Sequence, residues 1–115
     1  MATLKNNLEA MLTSGNDSAD LRLALASHCL KDGEPERAIV HLEVAVDLDP
    51  DYSAAWKLLG KALADAHRET DALAAYRKGM QVAEQRGDMQ ALKEMTVFAR
   101  RLEARQGQVG TMRKQ

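Results

Sequence analysis

Three histidines, His28, His41 and His67, and one cysteine, Cys29, are the first candidates for chemistry in this chain of 115 residues. Imidazole and thiol supply general bases, nucleophiles and metal ligands near neutral pH. A catalytic site needs such groups to converge with an orienting partner, and their spacing here does not bring them together. His28 and Cys29 are neighbours in sequence, so on a helix their side chains point about 100° apart. No histidine has a second histidine or cysteine three or four residues away, the spacing that would put two metal ligands on one helix face. The chain contains no glycine-rich phosphate loop, no nucleophile elbow and no His-Glu-x-x-His run. "DGEP" and "GDMQ" read as turns. Cys29 falls on an apolar stripe, where it serves as a small hydrophobe. The expectation is a protein that is not an enzyme and uses neither metal nor cofactor.

The other chemistry is ionic recognition. Lys57 and Lys61 are four residues apart, hence neighbours on one face of a helix. With Lys93 and Arg100 alongside they would form a basic strip suited to a carboxylate or an acidic peptide. The chain as a whole has no such bias. Sixteen Lys and Arg against seventeen Asp and Glu give a net charge of -1, so no global field draws it to nucleic acid or anionic lipid. Locally the balance is uneven, because residues 32–51 hold seven acidic groups and one Arg while residues 86–115 hold seven basic and three acidic groups. One cysteine excludes an intrachain disulfide framework. No apolar run approaches the ~20 residues of a membrane span, and "MATLKNNLEA" lacks the basic-then-apolar pattern of a leader. A cytoplasmic protein without membrane contact is expected.

The elements that must position these side chains follow from composition and period. Nineteen Ala and fifteen Leu against seven Val and Ile favour helices over strands. Sliding the chain by 34 residues pairs Leu25 with Leu59, Ala26 with Gly60, Ala38 with Ala72, Leu42 with Tyr76, Ala45 with Gly79 and Val46 with Met80. One step back, Leu4, Leu8, Met11 and Leu12 fall in phase with Ala38, Leu42, Ala45 and Val46. Turn signals recur about every seventeen residues, the length of one helix and its turn. Six helices are predicted, near 2–13, 18–31, 35–47, 53–65, 69–84 and 88–105, with Asp17, Ser18, Ser53, Thr70 and Asp88 as N-caps. Gly60 and Gly79 lie inside helices, where glycine costs about 1 kcal/mol relative to alanine; this predicts another backbone packed against each.

The run Trp56, Leu59, Gly60, Leu63, followed by Ala72 and Tyr76, resembles the tetratricopeptide repeat. The preceding copy carries Leu25, Ala26, Cys29, Ala38, Leu42, Ala45 and Pro50. The resemblance implies an all-α fold, a right-handed α-α superhelix of antiparallel helix pairs. A single domain over 1–105 would comprise an N-terminal half-repeat helix at 2–13, repeats at 18–50 and 53–84 and a capping helix at 88–105. Residues 106–115, without an apolar period, would form a flexible tail. The capping helix fits the repeat after a one-residue shift that aligns Ala91, Met95 and Phe98 with Trp56, Gly60 and Leu63. In the family the first helix of each repeat lines a concave groove. Carried over, that face includes Leu23, Ser27, Lys57, Leu58, Lys61, Lys93 and Arg100. The implied function is a small adaptor that holds a protein or peptide partner, acidic ones being suited to the lysines. Leu23, Ser27 and Leu58 stand where the family's chaperone-binding carboxylate clamp needs lysine and asparagine, so that specialisation is not expected. A monomer is expected rather than a homo-oligomer. The alternative is an assembly part that self-associates or docks into a larger complex, for which the opposed acidic and basic stretches give a motive.

Overall fold

The computed structural model describes residues 3–114, with side-chain surroundings for residues 3–107. It contains six helices: α1 (Leu4–Thr13), α2 (Ala19–Lys31), α3 (Pro35–Leu48), α4 (Ser53–Asp65), α5 (Glu69–Arg86) and α6 (Met89–Lys114). Residues 1 and 2, with which the first predicted helix and domain begin, lie outside the described residues. Polar caps set several boundaries. Thr3 accepts from the Asn6 N–H at the start of α1, and Ser18 accepts from the Leu21 N–H at the start of α2; Asp88 accepts from the Ala91 N–H at the start of α6. Each satisfies an amide that the helix leaves without a partner. Pro35 opens α3, where its missing N–H costs nothing. Ser53 and Thr70 do not cap: both lie inside their helices, and the buried Ser53 hydroxyl instead donates to Asp88 Oδ2 at 2.9 Å.

α2 packs on α3 and α4 on α5, while α3–α4 and α5–α6 contacts join the pairs into an elongated body of 55 × 31 × 20 Å. The shared core is built from Ala26, Cys29, Ala38, Leu42, Ala55, Leu59, Ala72, Tyr76, Met95 and Ala99, among others. Small residues permit close helix approach and large ones fill the remaining space. The two helical glycines show this directly, although side chains, not backbone, lie against them. A Cβ at Gly60 would stand 2.5 Å from Cε1 of the Tyr76 ring, and one at Gly79 would stand 2.5 Å from Met95 Sδ and 2.8 Å from Trp56 Cβ. The turns use left-handed backbone at Gly15, Gly33 and Gly87, and at His67 with φ 62°.

The C-terminal part differs from the sequence expectation in two ways. First, the shift that relates α6 to α4 is two residues beyond the 34-residue period, not one: α6 begins at Met89, 36 positions after Ser53. Ala91, Met95 and Ala99 are buried where Ala55, Leu59 and Leu63 are buried in α4. The cause lies in α5, which has 18 residues against 14 in α3 and turns into α6 through Gly87 and Asp88 alone. Second, α6 does not end near 105, and the predicted tail is helical through Lys114. Once the packed part of a helix exists, each further residue adds a hydrogen bond without a new nucleus, and no proline interrupts this stretch. Arg105 pairs with Glu69, and Gln106 Nε2 donates to Thr70 Oγ1 at 3.3 Å, fixing α6 against α5 where the continuation begins. Gln115 lies outside the described residues.

Candidate functional site

A groove runs between α4 and α6. Its main hollow, about 420 Å³, is lined by Lys57, Leu58, Lys61, Ala64 and Asp65 of α4, Tyr76 of α5, and Glu94 and Phe98 of α6. A smaller hollow of about 130 Å³ shares Ala64, Tyr76 and Phe98 and adds Arg101, Leu102 and Arg105. The floor is apolar because Leu58 and Phe98 pack only partly into the core, leaving one side of each to solvent. Tyr76 is buried beneath them, its ring centroid 5.6 Å from that of Phe98. Burial pushes the Tyr76 phenol up to about 12, with the Asp65 carboxylate contributing, so the phenol is neutral at physiological pH.

The rim is charged but internally paired. Lys57 Nζ reaches Glu94 Oε2 at 3.1 Å across the groove, and Lys61 Nζ reaches Asp65 Oδ2 at 3.3 Å one turn along the same helix. Half-exposed pairs of this kind are worth about 0–1 kcal/mol and can be exchanged for a ligand's charges at little cost. Arg101 has no carboxylate partner among the described residues; its guanidinium carbon lies 6.0 Å from the centroid of the Phe98 ring. The groove therefore combines apolar anchoring volume, exchangeable ion pairs and one available guanidinium at its far end.

Of the residues proposed from sequence, Lys57, Leu58 and Lys61 come together here. Leu23 and Ser27 stand one period earlier on α2, outside this hollow. Leu23 packs against the core, and the exposed Ser27 hydroxyl donates to its own helix at Leu23 O, 3.1 Å away. Lys93 and Arg100 do not line the groove, whose α6 wall is made by Glu94, Phe98 and Arg101. With the two-residue shift Leu58 corresponds to Glu94 and Asp65 to Arg101, while Lys93 and Arg100 take the places of Lys57 and Ala64 and lie on the flank of α6 turned away from α4. Tyr76 was legible as core, but its role as groove floor was not. The proposed basic strip is thus replaced by two ion pairs and Arg101.

The other chemical candidates are occupied by structure. Cys29 has no exposed surface, and burial pushes its thiol up. His41 is half-buried, with Nδ1 3.1 Å from Arg22 Nη1; desolvation first, and the Arg22 charge second, hold its pKa down. His67 makes the left-handed turn before α5. Among the described residues no group of three His, Cys, Asp or Glu side chains is placed to hold a metal, and no helix is long and apolar enough to cross a membrane.

Comparison with known proteins agrees with this architecture. The sequence profile described as tetratricopeptide repeat matches residues 19–62. Over 96 residues, 84% of this chain and 91% of the relative, the chain is 49% identical to a TPR repeat-containing protein of Pseudomonas aeruginosa. Its fold is similar to the solution structure of a Bordetella parapertussis protein, with a TM-score of 0.80 and 40% identity over 91% of each chain. It is also similar to the crystal structure of a tetratricopeptide repeat domain protein of Salinibacter ruber, with a TM-score of 0.71 and 32% identity over 76% of this chain and 98% of that one.

Proposed function

Because the chain belongs to the tetratricopeptide-repeat family, whose proteins generally mediate protein–protein interaction without catalysis, we propose that it is a small adaptor and that the α4–α6 groove receives a partner's peptide or helix. The observation that supports this most is the groove's composition, an apolar floor at Leu58, Tyr76 and Phe98 beneath a rim of exchangeable ion pairs. Affinity from such a surface comes from one or two apolar anchors, and charge sets orientation. An acidic group on the ligand is best met by Arg101, since Lys57 and Lys61 already have carboxylates beside them. The proposed setting is the cytoplasm, where the buried Cys29 thiol stays reduced.

A randomised peptide library panned on the full chain tests the assignment. Enriched peptides should share an apolar anchor, and Leu58→Glu should weaken them by about tenfold or more, the effect of losing a central anchor. Lys61→Glu should change charge preference without abolishing binding. Enriched peptides that bind a folded Leu58→Glu chain as well as wild type would move the site elsewhere.

A further inference from the structure

The groove is longer than its apolar part. Ala54 lies one turn before Leu58 on the same face of α4, and beside it a third, polar hollow of about 500 Å³ opens at the starts of α4 and α6. There Asp20, Asp49, Asp51 and Asp88 face a single basic side chain, Arg86. Asp20 accepts from the Tyr52 hydroxyl at 2.7 Å and Asp88 from the Ser53 hydroxyl at 2.9 Å, while Arg86 donates to the Asp51 carbonyl oxygen at 2.9 Å. Among the described residues none of the four carboxylates has an ion pair, so this end of the groove carries uncompensated negative charge. At the other end the sign reverses. Arg105 pairs with Glu69, but Arg101 has no carboxylate beside it. Between these ends, over the three turns from Ala54 to Asp65, about 16 Å, the floor is apolar and the ion pairs of the rim cancel.

The apolar part has two compartments of unequal size. The main hollow, about 420 Å³, and the smaller one, about 130 Å³, share Ala64, Tyr76 and Phe98 and succeed one another along α6, from Glu94 at the first to Leu102 and Arg105 at the second. They suit a large apolar side chain followed, about one turn on, by a small one. α4 and α6 are in direct contact, so the space between them admits side chains and not a backbone. No Asn or Gln lines either hollow, and the lysines and carboxylates of the rim are engaged with one another. An extended peptide would leave its backbone N–H and C=O groups without amide partners there, whereas a helix satisfies its own and presents one stripe of side chains. Resting on the reading that this groove receives a partner segment, we infer that the segment is an amphipathic helix of about three turns whose contacting stripe has a fixed charge order. Read from the acidic end of the groove, the stripe is a Lys or Arg, a large apolar residue one turn later, a small apolar residue in the next turn, and an Asp or Glu that meets Arg101. The opposite order would set like charges together at both ends, and such repulsion is what selects one orientation over another.

The test pans a library of randomised peptides of about 16 residues, long enough for four turns, on the full wild-type chain and in parallel on Arg101→Glu, with circular dichroism confirming that the variant folds. Peptides selected by wild type should show the base, large apolar, small apolar, acid order, should lack proline between the two charges, and should gain helical circular dichroism on binding. Those selected by Arg101→Glu should keep the apolar pair and carry Lys or Arg in place of the acid. In fluorescence anisotropy, Arg101→Glu should weaken a wild-type-selected peptide by about tenfold, and exchanging that peptide's acid for lysine should restore its affinity to within about threefold. Peptides that are lost on Leu58→Glu yet show no charge order, or that bind without gaining helix, overturn the inference and leave the groove as the site. So does a lysine exchange that fails to rescue binding to Arg101→Glu. Peptides indifferent to Leu58→Glu instead remove the groove reading itself, and this inference with it.

Discussion

Swapping a contact between the repeats gives the sharpest test of how this stack holds together. The Gly60–Tyr76 pair of the second repeat should be replaceable by the Ala–Leu pair that the first repeat carries at Ala26 and Leu42. Gly60→Ala alone gains about 1 kcal/mol of helix propensity. It also places a methyl 2.5–2.7 Å from three atoms of the Tyr76 ring. That ring is 3% exposed and packed against Phe98 at 5.6 Å, so it can withdraw only by disturbing Phe98 and the groove floor. An overpacking cost near 3 kcal/mol, the upper part of the usual range, then leaves a net loss of about 2 kcal/mol. Tyr76→Leu alone costs about 2 kcal/mol through the lost ring contacts. In the double variant the obstructing ring is absent, so adding the methyl to Gly60 becomes neutral or gains up to about 1 kcal/mol, and the coupling energy is about 2–3 kcal/mol. Urea unfolding of the four chains by circular dichroism, with m-values held equal, reads this cycle directly. Effects that add to within about 0.5 kcal/mol would refute the reasoning, because independent sites behave that way.

Three further outcomes follow from the same structure. Burial pushes the Tyr76 phenol up from the ordinary tyrosine value of about 10 to about 12; a raised folded pKa stabilises below the unfolded value and is lost as pH rises through the folded one, so Tyr76 should withdraw about 2 kcal/mol between pH 10 and 12. Thermal melts across that window should show the fall in wild type and a smaller one in Tyr76→Phe, and equal falls would remove Tyr76 as its source. His67, at φ 62°, occupies a left-handed turn position that is glycine at Gly33 one period earlier, so His67→Gly should raise the urea midpoint by about 0.5–1 kcal/mol of stability; a lower midpoint would show that the imidazole contributes to the turn. Lys57→Ala breaks a half-exposed pair with Glu94 and should change stability by less than about 1 kcal/mol, while a loss above about 2 kcal/mol on the same unfolding measurement would make this bridge a structural clamp.

The sequence carries most of the fold because the features that decide it are local. Small residues at Ala26, Gly60, Ala38 and Ala72 mark where helices approach, and Pro35, Ser18 and Asp88 mark where they begin. The apolar stripe of α6 was equally legible: Ala91, Met95 and Leu102 are buried under either register. What the stripe cannot carry is the flank, since a one-residue error rotates a helix by about 100° and leaves half of a broad stripe still pointing inward. The groove depends on that flank. Lys93 and Arg100 give way to Glu94 and Arg101 because α5 runs four residues longer than α3 and then turns in two, with Gly87 in the left-handed region at φ 74°. Glycine permits that turn without requiring it, so the register was settled by how α5 and α6 pack, with Met95 filling the space above Gly79. The charged rim has the same origin, because Lys57 and Glu94 are 37 residues apart and meet only once α6 is seated. The local signals therefore establish which residues are inside, while the ligand-facing side of α6, and with it the charge a partner meets, is fixed by the tertiary seating of one helix.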